Sequence, residues 1–331
     1  MQLNGDMSNW KPAVMDQSYV DIQVKGKPVS VRSARIEGRT VIATGRWLKI
    51  AAVMDEELFD GKTVTDPESF VRQLKHAGLE TDIFTFAQKL PEVAPMYQYR
   101  LEWENSAVIP ITTFSEWWEK RAEYDVRKAV KRSRRVGVVV KEADFDDAFV
   151  HGICNIYNES PIRQGKPFWH YRKDFESVKR ENSTYLQRSA FIGAYFEEQL
   201  IGFIRMVYVG TTATTLQVIS MVKHFDKKPT NALIAKAVEI CANKGLSHLI
   251  YGQYIYNDSH SLLTEFKRRN GFEQVLLPRY YIPLTVKGQI GLKLNLHHRW
   301  TEHIPGPVLA QLRKIQGFVY ARKARSLTDV S

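Results

Sequence analysis

Between Ser189 and Val222 the chain reads SAFIGAYFEEQLIGFIRMVYVGTTATTLQVISMV, the stretch that most restricts its fold. Three runs, SAFIGAYFEEQ, LIGFIRMVYVG and ATTLQVISMV, are rich in apolar and β-branched residues and predict three consecutive strands. The first two join at Glu197-Glu198-Gln199. The sequence HFDKKPTNALIAKAVEICANKG, His224 to Gly245, then supplies a helix from Asn231 onward. HLIYGQY predicts a strand, SLLTEFKRRNGF a helix and VLLPRYYIPLT a last strand pair. A meander followed by a βαβ crossover requires a mixed sheet with helices on both faces.

The first half carries a smaller α/β pattern. VSVRSARIEGRTVIATGRWLKIAAV, Val29 to Val53, alternates as strands with a turn at Glu37-Gly38. Asp66-Pro67-Glu68 opens a helix that Gly78 closes, and Thr81 to Phe86 predicts a short strand. Phe114 to Arg135 is expected as one helix capped by Ser115 and stopped by Gly137, with VGVVVKEA a strand after it. DFDDAFVHGICNIYNES places Phe145, Phe149, Ile153 and Ile156 on one helix face. Asp174 to Arg180 is a shorter helix. The expected organisation is a loose N-terminus over 1–20, a degenerate unit over 21–113 and a basic connecting helix over 114–136. The main unit covers 137–288, and a basic tail with a helix covers 289–331.

Formal net charge is +11 over 331 residues, a balance that attracts anionic partners. Lys120 to Arg135 holds eight basic and two acidic residues, and weak, unspecific RNA binding is expected of it. In the tail, Leu309, Leu312, Ile315 and Val319 oppose Arg313, Lys314 and Arg322, the pattern of a helix that packs on the domain or else touches a membrane surface. No run is long and apolar enough for a transmembrane helix. MQLNGDMSNW has no leader pattern, and Cys154 and Cys241 read as reduced core thiols, so the expected location is the cytoplasm. The nine histidines are scattered without ligand spacing, and no metal site is expected. Asp258-Ser259-His260 resembles a triad by letters only, and Ser259 reads as a helix cap.

The start of the helix after the third strand is unusual. Lys227 and Lys228 stand at its positive end, where acidic residues are favoured, with Thr230 and Asn231 as caps. Cations against free N–H groups fit an anion held between them.

Four further places carry a resemblance: Arg127-Lys128-Ala129 with Val136-Gly137-Val138, Leu200-Ile201-Gly202-Phe203, Asn231-Ala232-Leu233-Ile234, and Phe266 to Phe272 (FKRRNGF). With the element order, they resemble the acyl-CoA N-acyltransferase (GNAT) superfamily. Within it, the chain is similar to the FemAB-like proteins, which carry two GNAT-like units in tandem. The likeness covers about residues 115–285. It implies an α/β (α+β) fold with a mixed, mainly antiparallel sheet flanked by helices. It implies N-acyl transfer from acetyl-CoA or another acyl-CoA to an amino group of an unidentified acceptor, which a small molecule, an amino sugar or a protein could supply. The alternatives are a FemAB-like transferase using aminoacyl-tRNA and a non-catalytic anion, nucleic-acid or membrane-surface binder on the same frame.

In such a fold the fourth and fifth strands splay apart, and the opening receives the acyl end. The cofactor residues implied are Gln217, Val218, Ile219, Ser220, His224, Lys227, Lys228, Thr230 and Asn231. The family's cradling loop uses glycine, whereas this loop has none and carries Pro229, which lacks an N–H. Tyr256 or Tyr251 would protonate the leaving group, with Tyr254 a rival. Glu159 or His170 would act as base. Arg163, Gln164 and Gln253 would contact substrate.

Overall fold

The computed structural model describes residues 18–24, 27–163, 165–256 and 261–298. Strand β1 (Ser18–Val24) pairs antiparallel with β2 (Lys27–Ile36), and Glu37 and Gly38, both at positive φ, turn the chain into β3 (Arg39–Thr44). Two left-handed turn residues match the twist of the strands they join. After β4 (Ile50–Val53), the Asp66 carboxylate caps α1 (Pro67–His76), which leads to β5 (Ile83–Ala87), parallel to β4. Strand β6 (Arg100–Pro110) follows, then α2 (Phe114–Glu116), α3 (Tyr124–Arg135) and β7 (Val139–Ala143). Helix α4 (Asp147–Tyr157), a ribbon of β8 (Ile162–Arg163) and β9 (Lys166–Pro167), and α5 (Phe175–Asn182) precede the meander. Its strands are β10 (Ser189–Phe196), β11 (Gln199–Val209) and β12 (Thr212–Ser220). The chain continues with α6 (Pro229–Asn243), β13 (His248–Ile250), α7 (Leu262–Arg269), β14 (Glu273–Pro283) and α8 (Val286–Lys293).

Two compact units result. The first gathers described residues from 1–54, 64–86 and 281–297, and the second those from 55–63, 87–280 and His298. In the first, strands lie in the order β1-β2-β3-β4-β5, and Phe70 of α1 stacks on Phe84 with centroids 5.0 Å apart. In the second the order is β14-β6-β13-β12-β11-β10-β7. Leu233, Ile234, Ala237, Val238 and Cys241 of α6 are fully buried in its core. Each large aliphatic side chain buried this way contributes about 1.5–3 kcal/mol. β2-β3-β4-α1-β5 and β10-β11-β12-α6-β13 repeat one plan, an antiparallel meander followed by a parallel crossover. The expected mainly antiparallel sheet flanked by helices is therefore present.

Local details differ from expectation. The helix expected over Phe114 to Arg135 is broken: Thr113, not Ser115, caps α2, a π turn spans Trp117–Arg121, and Ala122 is extended. Arg127 donates to the Trp118 and Ala122 carbonyls, and the Trp117 indole N–H to the Asn270 carbonyl at 3.0 Å. The Arg127 bonds satisfy carbonyls that a continuous helix would have paired. Strand β13 stops at Ile250, short of the expected HLIYGQY, and the expected final strand pair is the single strand β14. The cap of α7 is Ser261, in a capping box with Thr264; Ser259 lies outside the described residues. So do the loose N-terminus through residue 17 and the tail helix with Leu309 and Val319. Among the described residues no helix is long and apolar enough to cross a membrane.

Gly271 tests the seam between α7 and the π turn. Its φ is +83°, and a Cβ there would lie 3.0 Å from the Arg121 Cβ and 3.1 Å from the Trp117 indole nitrogen. Gly271→Ala should cost about 1–3 kcal/mol, read as a lower urea midpoint at unchanged slope. An unchanged midpoint would refute the tight contact.

Candidate active site

The site begins where β12 and β13 part. They pair in parallel only over Thr212–His248, Ala213–Leu249 and Thr214–Ile250. β12 continues to Ser220 along β11, whereas the chain after Ile250 follows β6. Tyr251 N–H donates to the Ala107 carbonyl at 2.8 Å, Ala107 N–H to the Gly252 carbonyl at 2.8 Å, and Ile255 N–H to Asn105 Oδ1 at 2.6 Å. Gly252, at φ +54°, bends this wall away from β12. The opening therefore has Gln217, Val218, Ile219 and Ser220 on one side and Tyr251, Gln253 and Tyr256 on the other.

Lys267 stands behind the second wall. It is fully buried (0% exposed) on α7. Its Nζ donates to the Tyr251 carbonyl at 2.7 Å and the Gln253 carbonyl at 2.5 Å, and lies 4.3 Å and 4.8 Å from the Tyr251 and Tyr256 ring centroids. No carboxylate pairs with it among the described residues. Burial lowers its pKa to about 8, because a charge out of water is disfavoured. Burial also raises the Tyr251 and Tyr256 phenols, keeping both protonated near neutrality. Lys267 was missed in the sequence because it opens the basic run Lys267-Arg268-Arg269. Helical spacing, however, aligns it with Leu263, Thr264 and Asn270 rather than with the two arginines, which are exposed.

Behind the first wall, the buried Tyr157 hydroxyl donates to Gln217 Oε1 at 2.8 Å. His170 stacks on the Tyr157 ring with centroids 4.4 Å apart. Burial, then the Lys173 charge, lowers the His170 pKa to about 4, so this imidazole is neutral at pH 7. Burial moves the Tyr157 phenol to about 12.

Glu159 and Arg163 fasten the far end of β12. The Glu159 carboxylate accepts from Val222 N–H at 2.7 Å, Lys223 N–H at 2.9 Å and the Arg163 guanidinium at 3.1 Å. Arg163 also donates to the Ser220 and Ile156 carbonyls at 2.9 and 3.0 Å and lies 4.7 Å from the Phe168 ring centroid. Gln164 lies outside the described residues. Glu159 and Arg163 are thus partners of each other and of backbone.

The loop into α6 departs from the expected caps. Val222–Lys227 form a 3-10 turn, and Lys228, in the left-handed region, is the N-cap of a helix that starts at Pro229. Thr230 Oγ1 donates to Ser220 Oγ at 3.0 Å, and Asn231 Nδ2 to Asn270 Oδ1 at 3.2 Å, so neither caps the helix. Lys227 pairs with Asp226 at 3.4 Å and lies 4.7 Å from the Phe196 ring centroid. The His224 ring packs against Phe196 with both nitrogens unpartnered, and burial lowers its pKa. Beside the start of α6 lies a groove of about 480 Å³, with Phe266 and Leu262 among its apolar lining and Lys128, Arg132, Lys228 and Arg269 among its cations.

The chain has the fold of several solved structures. L-PGS from Bacillus licheniformis is 16% identical at a TM-score of 0.52, covering 80% of this chain and 88% of that one. The C-terminal domain of a protein from Agrobacterium fabrum, named as a candidate lysylphosphatidylglycerol synthetase, is 13% identical at 0.52, covering 80% and 87%. FemX is 10% identical at 0.51, covering 84% and 90%. The FemAB-like, GNAT-type fold expected from the element order is thus the observed one. No protein-family model and no curated protein sequence matches the chain.

The titration of Lys267 tests the site's electrostatics. Its folded pKa of about 8 lies below the ordinary 10.5, so on raising pH the folded state loses this proton first. Stability should therefore rise between those values, by about 3 kcal/mol for the full shift. Urea titrations at pH 7.5 and 9.5 should show much of that gain relative to Lys267→Met. Equal pH dependence in the two proteins would refute a buried, unpaired ammonium.

Proposed function

We propose that this protein is an aminoacyl transferase that moves an aminoacyl group from tRNA to an amino group of an acceptor. The carrying observation is the exposed face of α3: Lys128, Lys131, Arg132, Arg134 and Arg135 have no carboxylate partner among the described residues. Unpaired cations in a row match a phosphate backbone, whose neutralisation releases counterions. Two of them, Lys128 and Arg132, also line the groove with Phe266 and Asn270 of α7, while Lys267 of the same helix donates to the Tyr251 carbonyl from behind the wall of the opening. That arrangement suits a donor whose terminal nucleoside lies in the groove and whose acyl ester enters between the strands. The name of the Agrobacterium fabrum neighbour, which speaks of lysylphosphatidylglycerol synthesis, agrees with an aminoacyl donor.

In the proposed step the acceptor amine attacks the ester carbonyl carbon. A C–N bond forms, the C–O bond to the ribose breaks, and the proton lost by nitrogen ends on the leaving oxygen. Lys267 would stabilise negative charge on the carbonyl or leaving oxygen with its remaining N–H. The protonated Tyr251 and Tyr256 phenols are within the same wall and would relay the proton. Gln217, fixed by Tyr157, would orient the acyl group. Glu159 is committed to three donors and would hold the wall rather than act as base.

The acyl-CoA reading rests on Lys228 and the first-turn N–H groups of α6, which lack intrahelical partners. Filter binding separates the two. Lys131→Glu with Arg134→Glu and Arg135→Glu should weaken aminoacyl-tRNA binding. Its log–log salt slope should flatten by about 0.7–0.9 for each phosphate that is no longer neutralised. Transfer of a labelled aminoacyl group to an amine acceptor should fall in parallel. Saturable acyl-CoA binding with tRNA affinity unchanged in the triple variant would overturn the proposal.

A further inference from the structure

We propose that Glu159 is a specificity-determining residue that closes the loop between β12 and α6 to a diphosphate-bearing donor, an inference that deepens the aminoacyl-tRNA reading. A diphosphate held in this loop needs free backbone N–H groups. The first two, on Val222 and Lys223, already donate to the Glu159 oxygens at 2.7 and 2.9 Å. His224 N–H is bonded to the Met221 carbonyl, Lys228 N–H to the Phe225 carbonyl, and Pro229 has none. The carboxylate is therefore an internal anion, accepting two consecutive amides much as a phosphate oxygen pair would. Arg163 holds it at 3.1 Å, and both side chains are largely buried, Arg163 at 15% and Glu159 at 13% exposure. An entering diphosphate would have to break three bonds to a carboxylate, leave it charged and bring its own charge beside it. Of the loop's lysines, Lys227 is engaged with Asp226 and the Phe196 ring, whereas Lys223 and Lys228 point to solvent beside the Glu159 bonds. The amides of Val222 and Lys223 thus do not fit the diphosphate of the coenzyme that the fold suggests, which leaves the first-turn N–H groups of Thr230 and Asn231 outside the closed stretch.

Removing the carboxylate should convert the position into an anion site. Glu159→Ala leaves two N–H donors and the Arg163 guanidinium around a space of carboxylate size. Glu159→Gln keeps the shape while removing the charge. Isothermal titration with inorganic pyrophosphate and with coenzyme A should be flat for the parent. It should become saturable in Glu159→Ala, with affinity higher by about tenfold or more. Glu159→Gln should fall between them. Glu159→Ala should also melt lower than the parent, and formate should restore part of the loss where chloride at equal ionic strength does not. If Glu159→Ala does not fold by circular dichroism, the Gln variant decides alone. Parent binding as tight as that of the folded variants, or no gain in either, overturns the inference. These readouts do not use turnover, so failure of aminoacyl transfer would remove the donor assignment and leave the anion result standing.

Discussion

A sheet that opens between two parallel neighbours leaves backbone groups without ladder partners, and every one that is buried needs a replacement. Here β12 and β13 share three pairs and then separate. The carbonyls of Tyr251 and Gln253 turn to Lys267, the carbonyl of Ser220 to Arg163, and the amides of Val222 and Lys223 to Glu159. Three charged side chains thus stand in for the missing ladder. The opening exists because those partners hold its edges apart, and the remaining features of the site follow from where they stand.

Much of the fold was legible because its signals are local. The Glu37-Gly38 turn, the Asp66-Pro67 helix start and the three-strand meander each depend on residues close in sequence. The misread places depend on distant partners. Trp117 bends the chain before α3 because its indole meets the Asn270 carbonyl, far away in sequence. β13 stops early because α7 supplies a lysine to the carbonyls beyond it. Thr230 and Asn231 have the right chemistry for caps, but Ser220 and Asn270 take their side chains. No spacing within the loop announces such competition.

The charge of the chain divides into paired and unpaired sets. Arg268 and Arg269 of α7 are tied to Glu265 at 2.8 and 2.7 Å, and Arg279 to Glu56 and Glu104. The exposed pairs of α7 add little stability, though they neutralise their surroundings. The face of α3 has no such neutralisation, so the field of the net charge is concentrated there. Concentration of one sign on one helix speeds encounter with a polyanion more than it strengthens the complex.

Spare hydrogen-bonding capacity distinguishes a wall residue from a reacting one. Glu159 accepts from two amides and a guanidinium that hold it against the end of β12. Neutral His170, stacked on Tyr157 with Nδ1 unpartnered, faces a phenol and a lysine–glutamate pair, and its imidazolium is disfavoured by burial. Lys267 differs from both: an ammonium has three donors, and two are used. Its pKa near 8 means that modest stabilisation by an approaching negative oxygen is enough to keep it fully charged at neutral pH. The group that completes the parted strands is therefore also the one with a donor to spare.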